Sequence, residues 1–288
     1  MPPHGATRVL PEETDTKYPD WSISEPLLES DGAPAPLSPA SSAPGSVSID
    51  TLVERAYARL RYALIIGQLA PGERTTLGAL ARQLGTSITP VRDAMSRLAA
   101  ADALYQNRQS GVVVPALSRA ELDELLRLRL ALEGLAFTDA APHHRVADWR
   151  GFKVLQADLC RVADRADPVR FAAGVWSLRV VILGLARSTV LAMLVDRIWC
   201  RLGPTFTQMA ADAEKRRQVA CHLGKIVTAI GNRDLEEARR AVLDEIVAGT
   251  APRSSTVVDE LLAPPLAPIA TTACRKPAGD CNSGADHV

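Results

Sequence analysis

Proline placement limits what this chain can fold into more than any other feature. Of 20 prolines, nine fall in residues 1–50 and five in residues 251–288, which leaves six for the 200 residues between. Proline removes a backbone donor and clashes with the preceding turn, so helix interiors avoid it. The middle of the chain is therefore free to be helical. Residues 1–48 read as a disordered, acidic tail rich in Pro, Ser and Ala (APAPLSPASSAPGS), with too little apolar surface to offset its ordering entropy. Residues 251–288 read as a second disordered tail.

Between the tails the pattern divides in two. In residues 49–116, TLVERAYARLRYALIIG places Leu52, Val53, Ala56, Leu60, Ala63 and Leu64 on one stripe and stops at Gly67. After the LAPGE turn, Thr75 or Thr76 can cap a short helix through LGALARQLG, ended by Gly85. Thr86 or Ser87 can cap a third, ITPVRDAMSRLAAAD, with Pro90 in its first turn and Val91, Met95 and Leu98 facing inward. ALYQ and GVVVP then read as a β-hairpin around NRQS. Three short helices, a tight Gly85-Thr86 turn and a hairpin form the winged helix-turn-helix pattern. Its third helix would enter the major groove, where Arg92 can fork onto guanine.

The residues from Gly67 to Leu98 closely resemble the DNA-binding domain of GntR-family bacterial transcription regulators. That family carries G-x-L-x-P-G, matched by Gly67-Gln68-Leu69-Ala70-Pro71-Gly72. It continues as L-A-x-x-L-G-x-S-x-T-P-V-R, matched by Leu80-Ala81, Leu84-Gly85, Ser87, Thr89-Pro90-Val91-Arg92 and then Arg97-Leu98. Gly111 and Val114 fit the end of its wing. Two positions depart: Ile88 stands where the family usually has Arg, and Thr75 where it usually has Leu. The candidate DNA-binding residues are Ser87, Ile88, Thr89, Pro90, Arg92 and Ser96 on the third helix. Arg82 and Arg97 are candidates for phosphates, and Arg108, Gln109, Ser110 and Gly111 for the wing. Arg55, Arg59 and Arg61 read as a solvated helix face.

Residues 117–250 read as helix throughout. Ser118 and Glu121 form a capping box, and further amphipathic segments run near 146–166, 168–187, 189–212, 214–231 and 234–248. Pro168, Pro204 and the polar stretches ARST and GNRD punctuate them. The expected fold class is mainly α: a winged helix-turn-helix, then an antiparallel bundle of about six helices, with disordered tails. At 4% aromatic residues, the core must be built from Ala, Leu, Val and Ile.

ELDELLRLRLALEGLA and KIVTAIGNRDLEEARRAV resemble the opening and closing helices of the FCD-type effector domain found in the FadR subfamily of these regulators. The resemblance implies a homodimer and a small carboxylate effector, often held through a divalent metal by one Asp and three His. Here Val175, Arg179, Leu223 and Glu245 stand at those four positions, with His222 one residue from the third. No metal or other cofactor is expected. Arg129 and Arg179 would each need an anion if buried. Two arrangements stay open: an arginine-lined acid pocket, or Arg179 paired with Glu245 in a filled cavity. Candidate effector-binding residues are Arg129, Arg179, Glu245, Trp176 and His222. Trp176 and Trp199 also read as core packing, and His143 and His144 as a solvent-facing turn.

Other classes have less support. No nucleophile–base–orienter set, G-x-S-x-G elbow or phosphate-binding glycine loop is present, so an enzyme is not expected. Cysteines at 160, 200, 221, 274 and 281 form no C-x-x-C pair, so neither a disulfide framework nor a zinc knuckle is indicated. No apolar run of 18 residues and no signal-peptide pattern appears, so the expected compartment is the cytoplasm, with no membrane partner. The net charge is zero, which suits a nucleic-acid binder poorly. That zero is uneven: residues 1–50 carry −6, residues 51–115 carry +4, residues 116–250 carry +3 and the last 38 carry −1. The expected function is an operator-binding regulator, tuned by a ligand in the bundle or using a ligand-free bundle only to dimerise.

Overall fold

The computed structural model describes residues 49–107, 111–143 and 146–248. The two expected tails, Arg108, Gln109, Ser110 and His144 lie outside the described residues. The N-terminal unit contains α1 (Ile49–Ile65), β1 (Arg74–Thr75), α2 (Leu77–Leu84), α3 (Ile88–Ala100), β2 (Tyr105–Asn107) and β3 (Gly111–Val113). Leu60 and Leu64 of α1 pack with Leu80, Val91, Met95 and Leu98 in one buried cluster. Thr76 caps α2 by accepting from Ala79 N at 3.1 Å. Gly85 closes that helix at φ 64°, and its left-handed turn swings the chain into α3 within two residues.

The wing has three strands in the order β1-β3-β2, where the sequence indicated a two-stranded hairpin. β1 pairs antiparallel with β3, Arg74 opposite Val113 and Thr75 opposite Val112. Two residues are too few for an alternating pattern, so nothing in ERTT announces a strand.

Six helices follow: α4 (Arg119–Ala140), α5 (Val146–Ala163), α6 (Pro168–Ala186), α7 (Thr189–Met209), α8 (Ala213–Asn232) and α9 (Leu235–Ala248). The capping box forms as expected. Ser118 N donates to Glu121 Oε2 at 2.9 Å, and Glu121 N to Ser118 Oγ at 3.3 Å. α6 is long and apolar enough to cross a bilayer. It instead packs against α4, α5 and α7 and carries buried Arg179, as a core helix does. Arg216 of α8 is also buried. It donates to Ala163 O at 2.9 Å and Ala210 O at 2.7 Å, which satisfies carbonyls at the ends of α5 and α7.

Pro204 sits inside α7, within the helical segment expected over residues 189–212. Its ring takes away the N–H that the Cys200 carbonyl would use. The neighbouring Gly203 shows what α7 is doing there. A Cβ on Gly203 would lie 2.2 Å from Ile65 O and 2.5 Å from Leu64 O, so α1 rests directly on the α7 backbone. Thr207 Oγ1 donates to Ile66 O at 3.0 Å, and Arg61 pairs with Asp196 across the same seam. Arg61 is therefore an interdomain residue, not part of a solvated face. Its side chain is 11% exposed.

Candidate functional site

α3 presents one exposed row. Ser87 precedes its first turn in extended conformation and makes no side-chain cap bond, so its hydroxyl is left for other partners. Ser87, Ile88, Thr89, Arg92, Asp93 and Ser96 are exposed, while Pro90, Val91, Ala94, Met95 and Leu98 are buried. This is the 3.6-residue alternation that separates a reading face from a packing face. The Arg92 guanidinium makes no hydrogen bond or ion pair with any other described residue, so its five donors point outward unspent. Ile88 is 45% exposed at the front of the row.

Several expected contacts have other duties. Pro90 is buried, so it packs the reader's core. Arg97 Nη1 donates to Glu54 Oε1 at 2.5 Å, and its guanidinium lies 4.1 Å from the centroid of the Tyr57 ring; it ties α3 to α1. Ser96 Oγ lies 3.4 Å from Gln106 Oε1 and 3.0 Å from Arg92 O, a link from α3 to the wing. Gly111 sits at φ 77°, and a Cβ there would meet Thr75 O at 2.5 Å, so its close approach is to β1. Arg82 stays on the surface of α2 with Nε 3.4 Å from Gly78 O. Arg108, Gln109 and Ser110 lie outside the described residues.

In the bundle, Arg129, Arg179 and Glu245 come together, joined by Glu133, which the sequence reading did not nominate. All four are buried. Arg129 Nε donates to Glu133 Oε1 at 2.8 Å, and its Nη2 pairs with Glu245. Arg179 Nε lies 3.1 Å from Glu133 Oε2, and its Nη2 lies 2.8 Å from Glu245 Oε2. Trp199 Nε1 donates to Glu133 Oε1 at 2.9 Å. Both guanidinium carbons lie within 5 Å of the Trp199 ring centroid, at 4.8 and 4.5 Å. Trp176 packs on Trp199, ring centroids 5.9 Å apart, and does not touch the charged groups through a hydrogen bond. Glu133 is four residues after Arg129 on one helix face, and that spacing was its signal.

Burial works against charge on Glu133. The Arg129 and Arg179 charges and the hydrogen bonds from Arg129 and Trp199 prevail, holding its carboxyl below the usual range. Two cations and two carboxylates thus neutralise one another. The cavity beside Glu133 and Arg179 measures about 10 Å³, room for at most one water. His222 stands apart, with Nδ1 3.9 Å from Asp244 Oδ2. Burial and the Lys225 charge pull its imidazole below the usual value, against Asp244 and Glu245. A divalent metal does not fit the four inherited positions. Val175 and Leu223 offer no donor, Arg179 is a cation, and Glu245 already serves two arginines.

Comparison with known proteins gives these features a family. Residues 52–114 match bacterial regulatory proteins of the gntR family, and residues 124–247 match the FCD domain. Over 196 residues the chain is 32% identical to a protein of Paenarthrobacter nicotinovorans named "Probable D-xylose utilization operon transcriptional repressor", spanning 64% of this chain and 83% of that one. The chain belongs to the GntR family. It is a GntR-type DNA-binding transcription regulator with an FCD domain. This GntR protein is also 32% identical over 145 residues to the HTH-type transcriptional regulator McbR of Escherichia coli (strain K12). That stretch covers 50% of this chain and 66% of the relative, just under two thirds of its length. The solved structure of E. coli McbR/YncC superposes with a TM-score of 0.65 at 25% identity, covering 74% of this chain and 98% of that one. The gntR match takes in α2, α3 and the wing, and the FCD match runs from within α4 to α9.

Proposed function

We propose that this GntR protein is a cytoplasmic repressor that binds a two-fold operator as a homodimer, with α3 in the major groove. The observation that carries this reading is the exposed row from Ser87 to Arg92, with an unpaired guanidinium one turn inside the helix. A bidentate fork suits guanine O6 and N7, and Ile88 suits a thymine methyl. The name of the Paenarthrobacter relative supports repression. The dimer is supported by exposed apolar side chains. Leu128 and Leu135 of α4 and Val190, Met193 and Leu194 of α7 are each at least 40% exposed, on two helices that pack together. Capture of genomic fragments by the purified protein should yield an inverted repeat. Arg92→Ala should then weaken binding by about 1–3 kcal/mol, roughly fivefold to 150-fold. Capture without sequence preference, or an Arg92→Ala protein that binds as tightly as the parent at matched salt, sinks the reading.

The bundle is best read as a ligand-free dimerisation scaffold, because Glu133 and Glu245 already occupy both arginines. One observation favours a second reading, in which a small carboxylate enters there and shifts the two readers. Arg129 Nη1 and Glu245 Oε1 are buried without a hydrogen-bond partner, which is costly. Thermal melts with a panel of small carboxylates, with and without zinc or manganese, separate the two. Saturable stabilisation that disappears in Arg129→Ala selects the effector reading, and a flat response selects the scaffold.

A further inference from the structure

A second cavity lies away from the arginine cluster. It is a groove of about 660 Å³ between α5 and α8, closed at one end by α9, and it contains two cysteines. Three contacts fix the register of α5 on α8. Arg216 Nε donates to Ala163 O at 2.9 Å, Arg217 Nη1 lies 3.8 Å from Asp164 Oδ1, and a Cβ on Gly224 would fall 2.8 Å from Gln156 Nε2. Numbers fall along one helix as they rise along the other, so the pair is antiparallel. Cys160 is one turn from both Asp164 and Gln156. Cys221 is one turn from Arg217 and three residues from Gly224. The two thiols are therefore opposite each other across the seam, midway between the flanking contacts. Both are free and exposed, and both line the groove. Burial of part of its side chain, then the Cys221 and Asp164 charges, push the Cys160 thiol up, against the hydrogen bond from Gln156. Cys200 contrasts with them: it is buried, and burial and Asp196 push its thiol far up.

We propose that Cys160 and Cys221 form a thiol-modification site at which a small-molecule disulfide is reduced while the pair closes into a disulfide across the α5–α8 seam. One cysteine, as thiolate, attacks a sulfur of the incoming disulfide. The S–S bond breaks, one small thiol leaves with a proton, and a mixed disulfide remains on the protein. The second cysteine attacks the protein sulfur of that mixed disulfide and expels the second small thiol. The protein loses two electrons and two protons, and the small disulfide gains both. The groove offers cations at Arg217 and Lys225 and carboxylates at Asp164 and Glu237 beside the thiols, a lining suited to a molecule with both charges. The bond would couple α5 to α8, and α8 holds the end of α7 through Arg216. This proposal stands apart from the operator reading, because its readout is chemical.

The test uses the full chain carrying Cys274→Ser and Cys281→Ser, so that those two thiols do not compete. The folded protein is treated with oxidised glutathione, alkylated and digested with trypsin without reduction. The expected product joins peptide 154–161 to peptide 218–225, lighter than the two together by two hydrogens, with Cys200 alkylated. Dithiothreitol should restore both free thiols. Adding Cys221→Ser should stop the reaction at a glutathione adduct on Cys160, in a protein whose circular-dichroism melt matches the parent. Thiols that stay free, glutathione adducts that persist on both cysteines, or a cross-link to Cys200 would each overturn the proposal.

Discussion

Glu133 accepts from Arg129 on its own helix, from Arg179 on α6 and from Trp199 on α7, so one carboxylate organises three elements. Removing one partner from a buried ionic cluster costs about 3–5 kcal/mol, because the remaining charges stay buried without compensation. Glu133→Gln should lower stability by that order in calorimetry. The acid limb adds a sign. A carboxyl held low in the folded state stabilises the fold fully above its unfolded value, about 4.3, and the benefit is lost as pH falls through the folded value. The melting temperature should therefore drop in acid below about pH 4, and less steeply in Glu133→Gln. Equal acid limbs in the two proteins would refute the assignment. The need of Arg129 and Arg179 for an anion was legible in the sequence, and Glu245 was named as one partner. Glu133 was not, because Arg and Glu four apart are more often a solvated pair. Arg97 and Gly111 were nominated for DNA by type alone, and their partners within the fold, Glu54, Tyr57 and Thr75, became visible only in three dimensions.

Most elements were legible because each carries its own boundary chemistry. Ser118, Thr76 and Gly85 are caps that act over three or four residues, and all three act as the spacing indicated. β1 was not legible, because a two-residue strand is decided by its distant partner, β3. The α1–α7 crossing is the sharper case, since Gly203 leaves no room between the Ile65 carbonyl and the α7 backbone. Gly203→Ala should destabilise the protein by about 1–3 kcal/mol, the usual range for overpacking a tight contact. It should also split one calorimetric transition into two as the reader releases from the bundle. Gly134→Ala is the control. A Cβ there meets nothing within 4 Å, and alanine favours helix by about 1 kcal/mol over glycine. Equal melts for the two variants would show that the crossing carries no such contact.

For the whole molecule, proline placement marked off the two tails, and the helix, turn and hairpin pattern separated the reader from the bundle. Surface pairing could not be read that way, because Leu128 and Leu135 look like core positions until α4 is placed. Leu128→Glu combined with Leu135→Glu should give a monomer in sedimentation velocity and a large loss of operator affinity, with helix content unchanged. A variant that still sediments as a dimer would move the interface elsewhere. The α1–α7 seam has a last consequence. The reader is attached twice, through the short stretch before α4 and through α1 lying against Gly203 and Thr207. In a dimer built on the bundle, the two recognition helices would then be held like the points of a caliper with a fixed opening. Lengthening the stretch between Val114 and Ser118 by a residue should leave the preferred half-site spacing unchanged, whereas loosening the seam should make the protein indifferent to it.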